Sequence, residues 1–469
     1  VRALNPLDAA MITAELVSSP MHVGVVLILS PPADAGPDYI DRLHREALTD
    51  NHSIHPRLRR YPHRGVDTGG IWVWRDVDTV DLSRHCRRCK VSGGHDNFWR
   101  LIGELDAKRL DRSRPMWMSY LIDGFEEGKF AFYVKVHHTI VDGVAGFQMI
   151  ADALSTDPLC RSMPPFYADF GHRSTPVPAS TGWLHRLVAA VRFPVDAAAS
   201  GAGLIERVIT GELSTVIGSL VRHTTVLPLG APYTRFNGRL GPERAVCAAS
   251  WAKSRIQAVQ RRAGVTGNDV INAVLAAVLR RWLGDCRELP TRSLVAICPI
   301  TVRGHTRPAA ENEKYGNRFG LWLCPLGTNV DDPAARLAMI HRSMSEGKDW
   351  VSKRGSAASL LVTAGSIAAT VILPMLPSAP KIRPGYNLPI SHVPGPRDQM
   401  YFNGAHIEEM YPVSTVYDGQ ALNITTCSYA DRIGIGFVAG AEVLRDISAL
   451  IPLTEECLRE LEAAVGVDG

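Results

Sequence analysis

His137 and His138 stand side by side, and Asp142 and Gly143 follow after three residues, spelling H-H-x-x-x-D-G. In an extended strand successive side chains face opposite ways, so only one of the two imidazoles can face a given cavity, and the second sits nearer the turn. An imidazole titrates near ~6.5, so near neutral pH it can take a proton from an alcohol and return one to a departing thiolate. Acyl transfer needs both steps. Asp142 lies at a spacing from which a tight turn can bring it back toward the ring, and Gly143 permits such a turn. Two strand histidines followed by an Asp-Gly turn are also an ordinary polar core, and the bare pattern leaves both readings open. No G-x-S-x-G nucleophile elbow is present, so direct attack by a substrate alcohol is simpler than a serine acyl-enzyme.

The elements that must hold these residues can be read on either side of the motif. Phe130 to His138 (FAFYVKVHH) is a strand rich in aromatic and β-branched residues, and Gly143 to Leu154 reads as a helix, so the motif occupies the turn between them. Upstream, Met21 to Leu29 predicts a buried strand and Tyr39 to Leu48 a helix with Ile40, Leu43 and Ala47 on one face. Ile71 to Val73 predicts a short strand, and Phe98 to Leu110 a helix with Leu101, Leu105 and Ala107 inward. Interleaved strands and helices make the class α/β or α+β.

A chain of 469 residues fits two domains. The Pro- and Ser-rich stretch from Asp157 to Pro178 reads as a linker, followed by an apolar, helical bridge from Trp183 to Leu227 carrying Arg186, Arg192, Arg207 and Arg222. A second domain begins near Thr234, with a strand at Arg244 to Trp251 and helices at Ser254 to Ala263 and Asp269 to Leu283. Gly355 to Pro380 is a long uncharged stretch; its Ser, Thr and Pro content predicts a buried or membrane-surface helix rather than a span.

Composition excludes several classes. With 46% hydrophobic and 21% charged residues the chain is globular, and a net charge of +4 over this length argues against nucleic acid as a partner. Nine cysteines without framework spacing, and no signal peptide, predict a reducing, cytoplasmic setting. Cys86 and Cys89 form C-x-x-C beside His85, but two further ligands at metal spacing are missing, so no metal is expected. No P-loop or G-x-G-x-x-G unit follows a strand. His55 to Arg64 (HPRLRRYPHR) is basic enough to attract coenzyme A phosphates or an anionic membrane, and equally reads as a solvated loop.

H-H-x-x-x-D-G between a hydrophobic strand and a helix resembles the active-site motif of the chloramphenicol-acetyltransferase-like superfamily. Further blocks resemble one branch of it, the bacterial wax ester synthase/diacylglycerol acyltransferases: Asn5-Pro6-Leu7-Asp8 with Met21-His22-Val23-Gly24, Leu110 to Trp117 (LDRSRPMW), Asn268-Asp269-Val270, Pro299 to Arg303 (PITVR), Ser391 to Pro396 (SHVPGP) and Tyr411 to Ser414 (YPVS). The resemblance runs from about residue 5 to 450. It implies two chloramphenicol-acetyltransferase-like halves with a tunnel between them, the first at 1–180, a helical crossover at 181–233 and the second at 234–469.

The same resemblance implies His138 as general base and Asp142 in a structural ion pair with an arginine, for which Arg303 is the candidate; within the catalytic motif, alternation turns His137 away and makes it a packing residue rather than a second base. It places Pro115 and Trp117 at the tunnel, with core packing as the competing reading. Asn268 and Asp269 would shape the acyl-CoA site or simply cap a helix. His392 stands where the family has Asn and touches acyl or alcohol selectivity. The implied reaction moves a fatty acyl group from acyl-CoA, a co-substrate, to diacylglycerol or a long-chain alcohol, with no bound cofactor, at a membrane or lipid-droplet surface. A carrier-protein-dependent condensation-type acyltransferase and a lipid-binding paralogue without turnover are the alternatives.

Overall fold

Strands form where β-branched and aromatic residues cluster, and helices where apolar residues recur on one face. The computed structural model describes residues 2–4, 6–16, 19–49, 53–141, 143–170, 230–301, 319–354 and 383–467. The first part runs β1 (Arg2–Ala3), α1 (Pro6–Ala14), β2 (His22–Ser30), α2 (Tyr39–Thr49), β3 (Arg60–His63), β4 (Val73–Asp76), α3 (Leu82–His85), β5 (Cys86–Lys90), α4 (Gly94–Ala107), β6 (Trp117–Asp123), β7 (Phe130–His137) and α5 (Gly143–Asp152). The second runs β8 (Arg244–Ala252), α6 (Lys253–Ala263), α7 (Gly267–Asp285), β9 (Val295–Thr301), β10 (Phe319–Pro325), α8 (Pro333–Arg354), β11 (Leu388–Pro394), β12 (Tyr401–Phe402), β13 (Ala405–Val413), β14 (Leu422–Tyr429), β15 (Arg432–Gly440) and α9 (Leu450–Val465).

Two six-stranded mixed sheets dominate, ordered β12-β13-β2-β7-β6-β5 and β10-β9-β11-β14-β15-β8, with a small β1-β4-β3 sheet beside the first. The α/β class with two halves is therefore what the chain adopts. Its division is less simple than a cut near residue 234. β13 pairs antiparallel with β2, from His406 opposite Ser30 to Val413 opposite Gly24, so residues of the second half complete the first sheet. The halves also meet through β15, where a Cβ on Gly434 or Gly436 would lie 2.1 or 1.8 Å from the carbonyl oxygen of Met410 or Pro412. Only glycine allows that backbone approach.

β7 is apolar on both faces. Phe130, Val134 and Val136 join Leu43 of α2 and Ile150 of α5 in one core, while Ala131 and Tyr133 join Phe98 and Ile102 of α4 in another that also includes Val246 of β8. Burial on both sides is why the strand reads as a continuous hydrophobic run.

Several boundaries move. The helix expected at Phe98 to Leu110 spans Gly94–Ala107, and it buries Phe98, Trp99, Ile102, Leu105 and Asp106, leaving Leu101 and Ala107 half-buried. The reason is Asp106, a carboxylate buried because His22 and Tyr133 both bond it. The short strand near Ile71 is Val73–Asp76. The stretch read as a linker is described to residue 170 and is no free tether: Phe166 and Tyr167 are buried against Trp117. The helices expected at Trp183 to Leu227 and Gly355 to Pro380 lie outside the described residues. Among the described residues no helix is long and apolar enough to cross a membrane.

Candidate active site

The histidine pair ends the central part of the first sheet. β2 and β7 run antiparallel with His22 opposite His137, and β6 flanks β7 on its other side. The His137 N–H donates to the Met116 carbonyl at 3.0 Å, and the His138 N–H donates to the Met21 carbonyl at 2.9 Å. The chain then turns sharply, the Ile140 N–H reaching the His137 carbonyl at 2.9 Å, and enters α5. Thus the Met-His-Val-Gly and LDRSRPMW blocks, far apart in sequence, supply the two carbonyls that grip the motif from either side.

His137 is fully buried. Its Nδ1 accepts the Thr139 N–H at 3.2 Å and lies 2.7 Å from Thr139 Oγ1, so the ring proton sits on Nε2, which faces the Glu15 carboxylate at 3.4 Å. Burial pushes the Glu15 carboxyl up, but His137, the Met21 N–H and Arg112 together hold it below its usual value. Glu15 Oε1 accepts that Met21 N–H at 3.0 Å. One buried carboxylate therefore fixes His137 directly and His138 through Met21.

His138 is half-buried and falls on the same strand parity as Val134 and Val136. That face looks toward α5 and α2, and between them lies a cavity of about 340 Å³ lined by Leu27, Leu29, Leu121, Phe132, Val134 and Phe166, with His44, Glu46 and Arg87 also on its wall. Ile150, Ala153 and Leu154 of α5 line it as well. The motif thus joins a strand and a helix that both line the pocket; His138 is not itself a lining residue but shares strand parity with Val134, which is. From 134 to 138 the strand rises ~13 Å. Asp142 lies outside the described residues, and so does Arg303; of Gly143 only its place as the first residue of α5 is given.

The opposite face of β7 carries a second polar group that the pattern reading missed. Lys135 is buried, its pKa pushed down by burial to about 8, and its Nζ donates to the Leu105 and Lys108 carbonyls at the end of α4. His22 Nε2 and Tyr133 Oη both bond Asp106 Oδ1 at 2.9 Å. These contacts lock α4 under the paired strands at the level of the motif. A charged residue inside an otherwise apolar run, Lys135 in FAFYVKVHH, was the available signal.

Other expected site residues fall in different places. Pro115 is buried, and Trp117 is packed rather than open: its indole N–H donates to the Leu58 carbonyl at 2.9 Å, and its ring stacks on His85 and Tyr167. Asn268 and Asp269 lie within the first turn of α7 rather than before it, because Thr266 is the N-cap. Asp269 Oδ2 accepts the Thr266 N–H at 2.9 Å and pairs with His341 Nδ1 at 2.7 Å, both in the second half. Thr301 ends β9. His392 sits in β11, a strand that packs against α5, with Nδ1 2.8 Å from Thr426 Oγ1 and Nε2 3.0 Å from Ser428 Oγ. Burial, with Lys253 nearby, pushes its pKa down to about 4, so it is neutral at pH 7. Cys86 and Cys89 belong to the cores on opposite faces of the first sheet. Among the described residues no three His, Cys, Asp or Glu cluster so as to hold a metal ion. Of the basic run, Arg59 donates to the Val77 and Asp78 carbonyls and Arg60 pairs with Asp76.

Known proteins share this arrangement. Residues 4–271 match the wax ester synthase/diacylglycerol acyltransferase catalytic domain, and residues 315–462 match the C-terminal domain that goes with it. A putative diacylglycerol O-acyltransferase of Mycobacterium tuberculosis is 34% identical over 471 residues, covering 99% of this chain and all of the relative. A wax ester synthase/diacylglycerol acyltransferase from Marinobacter aquaeolei superposes with a TM-score of 0.75 at 29% identity, over 99% of this chain and 100% of that one. The starter condensation domain of rhizomide synthetase, at 13% identity and a TM-score of 0.54 over 99% and 94% of the two chains, shares the fold. With matches along nearly its whole length, this chain belongs to the wax ester synthase/diacylglycerol acyltransferase family.

Proposed function

We propose that the protein is an acyl-CoA-dependent O-acyltransferase that esterifies diacylglycerol or a long-chain alcohol, giving triacylglycerol or a wax ester, with His138 as the general base. Membership of the family supports the reaction class. The observation that supports the role of His138 is its place in the turn between β7 and α5, half-buried and on the strand parity of Val134, which lines an apolar cavity large enough for part of an aliphatic chain.

In this reading the imidazole takes the hydroxyl proton as the alcohol oxygen attacks the thioester carbonyl. The imidazolium then protonates the departing coenzyme A thiolate, leaving ester and thiol. In this reading His137 takes no part in proton transfer, because Nδ1 is committed to Thr139 and Nε2 is fully buried beside the Glu15 carboxylate. The working place of such an enzyme is the periphery of a membrane or lipid droplet, where its acceptor resides. The test is acyl transfer from palmitoyl-CoA to diacylglycerol and to hexadecanol by the purified protein, reading ester by mass and thiol release together. Ester and thiol in equal amounts support the reading; thiol without ester, or neither, contradicts it.

A further inference from the structure

The hairpin joining β3 to β4 ends in an aliphatic tip. Val66 is fully exposed and Ile71 is 62% exposed, far more than the apolar residues around them. The loop is closed at its base by the Gly70 N–H to the Gly65 carbonyl at 3.0 Å, and the Ile71 N–H reaches the Thr68 carbonyl at 3.1 Å, so Val66 and Ile71 flank one tight turn. Gly69 and Gly70 have φ of 59° and 77°, conformations closed to β-branched residues, so the turn holds its shape without a side chain packing across it.

Trp72 stands next in the chain. The Arg64 guanidinium lies 5.9 Å over its ring, and its indole N–H donates to Thr13 Oγ1 at 3.2 Å, tying the hairpin to α1. Just beyond α1, Leu16 is 52% exposed. Charge accompanies the apolar tip. Pro56 to Asp78 holds five arginines against three aspartates, a surplus of two positive charges; Arg60 pairs with Asp76 and Arg75 with Asp67, which His63 also meets. Arg109 and Arg112 lie nearby, donating to the Glu15 and Ile12 carbonyls.

An aliphatic tip, an indole set back from it and guanidinium groups around both is the composition that partitions into a bilayer interface. The same edge leads to the reaction centre. Leu16 follows Glu15, whose carboxylate holds the Met21 N–H, and the Met21 carbonyl holds the His138 N–H.

We infer that the β3–β4 hairpin tip, with Trp72 and Leu16 behind it, is the surface by which the protein docks on an anionic phospholipid bilayer, with Val66 and Ile71 inserted among the acyl chains and the arginines at the phosphates. This deepens the acyltransferase reading by naming how the enzyme reaches a membrane-resident alcohol. Docking can nevertheless be measured without turnover. The full chain is sedimented with phosphatidylcholine vesicles and with vesicles in which half the lipid is phosphatidylglycerol, in low and high salt, and compared with the doubly substituted Val66→Asp/Ile71→Asp protein.

The expected result is co-sedimentation with the anionic vesicles that weakens in salt, and a loss of at least about tenfold in partitioning for the double variant, the scale of moving two side chains from insertion to repulsion. Its turnover of a short-chain alcohol free in solution should equal that of the parent. A parent protein left in the supernatant, or a variant that sediments as well as the parent, overturns the assignment. Capture on a protein partner with no vesicle binding does so too. Failure of turnover with intact, tip-dependent vesicle binding would instead count against the acyltransferase reading alone.

Discussion

Replacing Glu15 by alanine should unsettle the site more than any surface change nearby, and the size of the effect follows from its contacts. The carboxylate is buried, accepts the Met21 N–H at 3.0 Å and faces the His137 Nε2–H at 3.4 Å. Alanine leaves the Met21 N–H buried without an acceptor and takes away the carboxylate facing the His137 Nε2–H, at ~1–3 kcal/mol each, so a loss of about 2–6 kcal/mol is expected. Glutamine keeps one amide oxygen for Met21 and should lose only about half as much. Because the Met21 carbonyl holds the His138 N–H, a shift of that segment also displaces the proposed base, and displacements near 1 Å cost ~100-fold in rate. The assay is a double-mutant cycle over Glu15→Ala and His137→Ala, read by thermal unfolding and by kcat. Contacting groups should couple by at least ~0.5 kcal/mol, with Glu15→Gln recovering most of the rate. Strict additivity, or a Glu15→Ala enzyme with the parent kcat, refutes the reasoning.

Three further outcomes follow from the same geometry. His392, held to about pH 4 in the folded protein against ~6.5 unfolded, takes up a proton more readily when unfolded; stability should be complete above pH ~6.5 and fall between there and ~4, by at most ~3 kcal/mol and nearer 1–2 after screening of a partly exposed ring. The His392→Asn protein should show a flatter urea-midpoint profile across that window, and an unchanged profile counts against the neutral, buried ring. Ala153→Phe places a ring in the 340 Å³ cavity and should turn a competition between acyl-CoAs or alcohols toward shorter chains by several-fold, measured by mass spectrometry; unchanged selectivity means the cavity does not hold the chain. Gly436→Val drives a Cβ to within 1.8 Å of the Pro412 carbonyl, so the halves must part, and a drop in melting temperature matching at least ~1–3 kcal/mol is expected.

What could be read from residues alone was whatever is local. The β7–turn–α5 unit, the strand at β2 and the helix at α2 all announce themselves by patterns shorter than a dozen residues. Long-range pairing has no such signature: nothing in Ala405 to Val413 says that it completes the first sheet beside β2 rather than staying with its sequence neighbours. The resemblance of LDRSRPMW left Trp117 between tunnel and core, because an aromatic in a motif looks the same whether it meets substrate or Tyr167. Burial of Asp106 turned α4 by part of a turn, an effect that depends on His22, eighty-four residues away. Glu15 was invisible for the same reason, since its meaning comes from His137 across the fold. Strand alternation puts His138, the proposed base, on the parity of Val134 and Val136 and turns His137 away.

The proposed reaction rests on the His138 imidazole as the proton acceptor. Parent and His138→Ala proteins with matched melting curves should be compared in steady-state acyl transfer from palmitoyl-CoA to diacylglycerol and to hexadecanol. The account predicts a fall in kcat of ~100- to 10,000-fold with little change in KM, the scale of a lost general base, and no such fall for His137→Ala once its stability loss is allowed for. A His138→Ala enzyme that folds and turns over at the parent rate would contradict it.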